Sequence, residues 1–232
     1  MLLVTYLLFM ITISNSSAED EAQQVNIDAI KEKYWARGNE TELGVVQNRL
    51  YSKESKLEIG SLVGVLSTDP FLSVKCLGIK AGFHFSEYFA ANILAWKNFV
   101  EPSSALLTFQ ETVGATTNNN PQRSFIGTEL AASLIYGKLS LIGKAIIYYD
   151  LHLSAGGGVT ATESGNYFTP LIGIGQQIFL SQSVSLRVDY RAMRYTETII
   201  EKVITPKLGQ PIGQRVNWTN AVTLGLDFLF GL

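Results

Sequence analysis

The chain has little with which to perform covalent chemistry. Among its 232 residues there is one cysteine, Cys76, and there are two histidines, His84 and His152. A single thiol excludes an internal disulfide, and with only two imidazoles beside it no zinc-ligand spacing can be assembled. Cys76 therefore reads as a small apolar residue within a strand. Charge is also sparse, at 16% of residues with a net charge of −2. Such a balance excludes the basic surface that a nucleic-acid partner or an anionic-lipid binder requires. Long hydrophobic runs are missing as well. Beyond the first 14 residues, no segment reaches the roughly 20 apolar residues of a spanning helix. The nearest, residues 139–149, is interrupted by Gly143 and Lys144. If the chain crosses a membrane it must do so as strands, because only helices and closed barrels satisfy their backbone groups in lipid.

Two arrangements that look chemical are not. Asp150, His152 and Ser154 supply the residue types of a catalytic triad. Spaced by two along a strand, they share a face without reaching one another as a triad demands. Gly156-Gly157-Gly158 lacks the Lys-Ser/Thr tail of a phosphate loop and lies inside an alternating segment. No catalytic residue, cofactor or metal is expected.

What the chain does have is alternation. Thr223-Leu224-Gly225-Leu226-Asp227-Phe228-Leu229-Phe230 places Leu224, Leu226, Phe228 and Phe230 on one face, and Thr223, Gly225, Asp227 and Leu229 on the other. A period of two marks a strand with unlike environments on its two sides. The same pattern recurs from Lys56 onward. Expected strands are 57–66, 72–85, 88–99, 123–136, 150–162, 170–180, 184–198 and 218–230. Ser67-Thr68-Asp69-Pro70 is strong turn chemistry. Ser86-Glu87 and Ser181-Gln182-Ser183 are short connections, whereas 100–121, 162–169 and 199–217 are longer ones on the opposite side. Residues 137–149 fit either a strand start or a short rim helix. Eight strands make four hairpins, so both ends lie on one side.

Residues 1–18 read as a signal peptide. The apolar run Leu2–Ile11 is followed by Asn15-Ser16-Ser17-Ala18, which places cleavage between Ala18 and Glu19. Residues 19–55 differ from the rest, with eight acidic and five basic side chains. Asn26 can cap a helix whose stripe is Ile27, Ile30 and Tyr34, ending at Gly38. This is a polar N-terminal periplasmic arm carrying one short amphipathic helix. The stripe would pack at the barrel mouth or dock another envelope protein. Residues 56–232 form the barrel.

Alternation alone does not say which face points outward. A soluble eight-stranded barrel would turn its apolar face in. Three features favour the inverse. The strands run to about 10–15 residues, enough to cross the hydrocarbon layer when tilted. Ala81, Ala91, Ala95 and Ala132 on the apolar face suit lipid but fill a soluble core poorly. Glu58, Lys80, Glu129, Arg187, Asp189, Arg191 and Asp227 lie on the opposite face, three basic against four acidic. Charges placed inside so narrow a barrel must pair. They are expected to form an ionic network that plugs the lumen. Gly60, Gly64, Gly78, Gly82, Gly156, Gly158, Gly173, Gly175 and Gly225 fall on the same inward faces and make room for it.

The order of residues in the last strand resembles the terminal assembly signal of bacterial outer-membrane β-barrels, carried by Thr223, Gly225, Phe228 and Phe230. That resemblance implies recognition by the barrel-assembly machinery. Other stretches resemble a family of outer-membrane β-barrel domain proteins of delta-proteobacteria and predatory relatives. They are Tyr34-Trp35-Ala36-Arg37-Gly38, Val46–Tyr51, Asp69-Pro70-Phe71-Leu72, Tyr136-Gly137-Lys138-Leu139 and Leu186–Arg191. Some members of that family resemble envelope components of gliding-motility machinery, and no catalytic residues accompany the resemblance. The expectation is an all-β, eight-stranded antiparallel transmembrane barrel of the bacterial outer membrane. Its role would be structural or anchoring, with lipid around it and a protein partner reached through 19–55. A small pore and, more remotely, a lipid-modifying enzyme are the alternatives.

Overall fold

The computed structural model describes residues 50–141 and 145–231. The proposed cleavage point at Ala18 and Glu19, and the helix expected over 27–37, lie outside the described residues. Eight antiparallel strands close into a barrel in sequence order. They are β1 Lys56–Ser67, β2 Leu72–His84, β3 Phe89–Pro102, β4 Gln122–Leu141, β5 Ala145–Thr162, β6 Asn166–Phe179, β7 Val184–Ile200 and β8 Pro211–Gly231. β8 returns to β1, pairing Phe228 with Ile59 and Leu224 with Val63. Closure leaves no free sheet edge within the paired belt, the condition for a sheet in lipid.

Each strand alternates as its sequence demands. On β2, Leu77 and Ile79 are exposed, while Cys76 and Lys80 are buried. The contrast fixes which face is which: Ile79 is 66% exposed and Leu130 67%, whereas Glu58 is 0% and Arg191 1%. An exterior of this kind has no stable place in water. Twelve residues of β1, at about 3.3 Å each and inclined by about 40°, span roughly 30 Å, the thickness of the hydrocarbon layer. Exposed aromatics border the apolar belt. Phe85, Tyr88, Phe89, Phe228 and Phe230 lie toward the rim that holds both barrel ends, and Phe99, Phe168 and Trp218 toward the far rim.

Three connections differ from the sequence expectation. Of the stretch left open between strand and helix, residues 137–141 belong to β4 and 145–149 to β5, which pair from Tyr136↔Asp150 to Leu141↔Ala145. A bulge between Ser133 and Ile135 shifts the alternation there, which is why the pattern fades in sequence. Residues 100–121 contain a helix, α1, Ser104–Val113. The Ser103 hydroxyl accepts from the Leu106 amide, and Gly114 ends the helix in the left-handed region. Finally, β7 and β8 run past the belt as a paired ribbon, Arg194↔Trp218 to Ile200↔Pro211, so the far-rim loop shrinks to 201–210.

Candidate functional site

The lumen is filled in three tiers. The first lies toward the rim of the termini. All seven ionic residues singled out in the sequence are buried in it. Lys80 Nζ is 2.5 Å from Glu58 Oε1 and 2.8 Å from Asp227 Oδ2. Arg187 bridges the same two acids, with Nη2 2.8 Å from Glu58 Oε1 and Nε 2.8 Å from Asp227 Oδ2. Arg191 clamps Glu129 through Nε at 2.9 Å and Nη2 at 3.1 Å, and touches Asp189 and the Thr223 hydroxyl. Bidentate, fully desolvated pairs of this kind are strong only when the remaining valences are also met. Here the histidines serve that end: His84 Nε2 lies 2.5 Å from Glu58 Oε2, and His152 Nε2 2.9 Å from Asp189 Oδ1. His152 meets neither Asp150 nor Ser154, so no triad forms.

The register explains how so many long side chains fit. Every one of the seven faces a glycine on a neighbouring strand: Glu58 faces Gly82, Lys80 faces Gly60, Glu129 faces Gly156, Arg187 faces Gly225, Asp189 faces Gly175, Arg191 faces Gly173 and Asp227 faces Gly60. A Cβ at Gly60 would fall onto Asp227, and one at Gly175 onto Asp189 and His152. In a narrow barrel an ionic side chain must lie over its neighbour strand, and glycine leaves that strip bare.

Sequence reasoning missed a further buried ion pair, Lys53 with Asp150. Lys53, just before β1, enters the mouth and places Nζ 2.6 Å from Asp150 Oδ2 and 2.8 Å from the Ser133 hydroxyl. Its own amide donates to Glu87, whose carboxylate also takes the Ser52 hydroxyl. Tyr51 stacks on Phe179 at 5.4 Å between ring centroids and meets Tyr148 edge-on at 5.1 Å. Residues 51–53 thus stopper the near mouth. Only their charge and aromaticity marked them, and both merged into a polar arm. The space left beside Lys53, His84, His152 and Arg187 is about 10 Å³, barely one water's worth.

The second tier is apolar and was also unforeseen. Leu62, Leu66, Val74, Cys76, Leu94, Trp96, Phe125, Leu171, Met193 and Ala221 form one buried cluster inside the barrel. Trp96 and Phe125 stack with ring centroids 4.4 Å apart. Gly78, Gly127 and Gly158 are bare where these rings lie. The ionic network expected from the sequence is thus one tier of the interior: beyond Arg191 the lumen is closed by hydrocarbon. It went unread because β3 is apolar on both faces at Ile93–Trp96, so alternation gave no sign of what pointed inward.

A third tier, near the far rim, is polar and uncharged except at its edge. Gln122 donates to Tyr195 at 2.8 Å and to Thr219 at 2.7 Å, and Thr160 meets Thr169 at 2.7 Å. Above them Glu197 accepts from Asn120 and pairs with Arg215. Among the described residues there is no cluster of three metal-ligating side chains. Of the residues in the terminal pattern, Thr223 and Gly225 face the lumen, while Phe228 and Phe230 face out into the near aromatic border.

An apolar exterior with aromatic borders, a closed sheet and an ionic interior define a transmembrane β-barrel of the bacterial outer-membrane type. No family model matches the chain, and no curated protein matches it. Among solved structures it is similar to the outer-membrane protein OprG of Pseudomonas aeruginosa, at 9% identity and a TM-score of 0.42, covering 78% of this chain and 98% of that one. It is likewise similar to the N-terminal barrel domain of OprF from the same organism, at 10% identity and 0.39, covering 76% and 98%. Neisserial surface protein A gives 14% and 0.38, covering 75% and 96%. None of these likenesses carries a function across.

Proposed function

We propose that this chain is a non-conducting outer-membrane barrel that serves as a structural or anchoring component of the cell envelope. The observation that carries this reading is the apolar tier, in which Leu94 is 0% and Met193 1% exposed. Ions do not cross a dry hydrocarbon layer, and the ionic tier beneath it has no room for a file of water. Short turns belong on the periplasmic side of such barrels. The long connections, 103–121 and 201–210, both lie on the rim opposite the termini, whereas 85–88 and 180–183 on the rim of the termini are short; this supports placing the rim of the termini in the periplasm. Of the arm, 19–55, residues 51–53 sit in the mouth, and the part before them is the periplasmic segment that meets a protein partner. Thr223, Gly225, Phe228 and Phe230 are the signal read by the barrel-assembly machinery. Affiliation with the delta-proteobacterial barrel family, some of whose members resemble motility-envelope components, rests on the sequence stretches quoted above.

Purified barrel in planar bilayers tests the reading. No steady conductance is expected; regular, stable current steps would replace it with the small-pore alternative. Photo-crosslinking from the arm in cells should capture an envelope protein, while a chain lacking 19–50 should still assemble and lose that adduct.

A further inference from the structure

β3 and β4 part company at the far rim. Their pairing ends at Lys97↔Ser124, yet β3 continues to Pro102 against β2, and β4 begins at Gln122 against β5. Pro121 sits at the start of β4 and has no N–H to offer β3. A cavity of about 390 Å³ occupies the resulting gap, between Asn98 and Val100 on one side and Pro121 and Arg123 on the other, under Leu106 of α1. That size lies at the lower end of pockets that hold small ligands, about 300–1,000 Å³. Phe99, pointing outward at 50% exposure, places the gap at the level of the far aromatic border, where lipid headgroups meet the acyl chains.

One wall group has no structural use in this chain. The Asn98 carboxamide is 7% exposed, and neither its nitrogen nor its oxygen has a hydrogen-bond partner. A buried amide left unpaired on both sides costs more than most natural structures tolerate without a reason. Its demand is for a neutral group that both accepts and donates. The rim agrees: Glu101 and Glu163 balance Arg123 and Lys202, and Glu163 is already paired with Lys202 at 2.7 Å. No net charge is left to draw an ionic headgroup. Leu72, Val100 and Leu106 give the wall its apolar stretch, and Leu72 and Val100 pack against the lumen's hydrocarbon tier.

We propose that this gap binds a single-chain amphiphile with a neutral amide or hydroxyl headgroup, its head on Asn98 and its chain along Leu72, Val100 and Leu106. The site is independent of whether the barrel anchors a partner. Trp96, two residues from Asn98 on the same inward face, reports on it. The test uses the full chain in detergent with Trp35 and Trp218 replaced by Phe, titrated with 2-bromododecanamide, whose bromine sits beside the headgroup and quenches a nearby indole at short range. Saturable quenching of Trp96 is expected, and 2-bromododecane, which lacks the headgroup, should give only a non-saturating slope. Asn98→Leu should weaken the amide probe by about tenfold, the effect of losing one or two hydrogen bonds. Leu72→Phe, which adds bulk to the cavity wall from β2, should abolish saturation while keeping Asn98. It carries the test alone if Asn98→Leu does not fold, as judged by heat-modifiable gel mobility. Non-saturating quenching in the parent, or equal saturation in the parent and the variants, would overturn the proposal.

Discussion

Gly60 lies directly opposite Asp227 across the β1–β8 seam, and a methyl group on Gly60 would fall onto the Asp227 carboxylate. The pair joins the first strand to the last at the point where Lys80 and Arg187 converge on Asp227. Closure of the barrel and assembly of its ionic tier are therefore one event. The bare strip at Gly60 lets the charges meet, and their meeting fixes the register of the closing strands.

Gly60→Ala should thus cost about 1–3 kcal/mol, the range for overpacking a filled interior, read as a lower urea midpoint for the folded form in vesicles. Gly213→Ala is the control, since a Cβ there meets nothing within 4 Å. It should shift the midpoint little.

Arg191→Met should be more severe. The Glu129 side chain, 0% exposed, would keep only the weaker Asn92 amide contact at 3.3 Å. Breaking a buried pair from one side costs about 3–5 kcal/mol, whereas removing both partners restores much of the loss. The double variant Arg191→Met with Glu129→Met should therefore be more stable than Arg191→Met alone. A double variant that is no better would mean the two residues do not act as a pair.

Lys53 and the apolar tier close the lumen at different depths, so opening either alone should not produce a path. Lys53→Ala is expected to leave the protein silent in a planar bilayer. Lys53→Ala combined with Trp96→Ala and Phe125→Ala removes the stopper and the stacked rings but leaves the buried ionic tier across the lumen, so it too should stay silent; conductance should first appear when Arg187→Ala and Arg191→Ala are added to it.

The far-rim loop has its own pH dependence. Glu201 receives the amides of Ile204 and Val203 and the side chain of Asn118. These donors hold its carboxyl below its ordinary value, the Ile204 amide first. A carboxyl depressed in the folded state stabilises fully above its unfolded value, about 4.3, and the contribution is lost as pH falls through the lower folded value. Amide exchange at Val203 and Ile204, corrected for its intrinsic pH dependence, should lose protection below that window, with the barrel strands unaffected. Glu201→Gln should remove this acid dependence.

How much of this was legible in the sequence follows from where alternation is two-sided. On β2, Lys80 and Ile79 differ so sharply that both faces could be read, and β8 likewise declares Asp227 against Phe228. The seven network residues were recognisable because a charge amid apolar neighbours in a strand has one place to go. The glycines were visible as inward residues, but their placement opposite the ions needs the register, which no single strand encodes. The apolar tier was hidden because Leu94 and Trp96 look like the lipid-facing Ile93 beside them. Lys53 was hidden by the opposite circumstance, one charge among many in a polar segment. The β4–β5 extension was obscured by the bulge after Ser133, which moves Leu134 and Ile135 onto the exposed side together.

The inside-out burial beneath all of this is tested most directly by accessibility in a bilayer. With Cys76→Ser as background, nitroxides placed singly at Ile59, Val63, Leu77 and Ile79 in refolded vesicles should be relaxed strongly by oxygen and weakly by a water-soluble nickel chelate, as lipid-facing sites are. Stronger relaxation by the nickel chelate at these four positions would contradict the account.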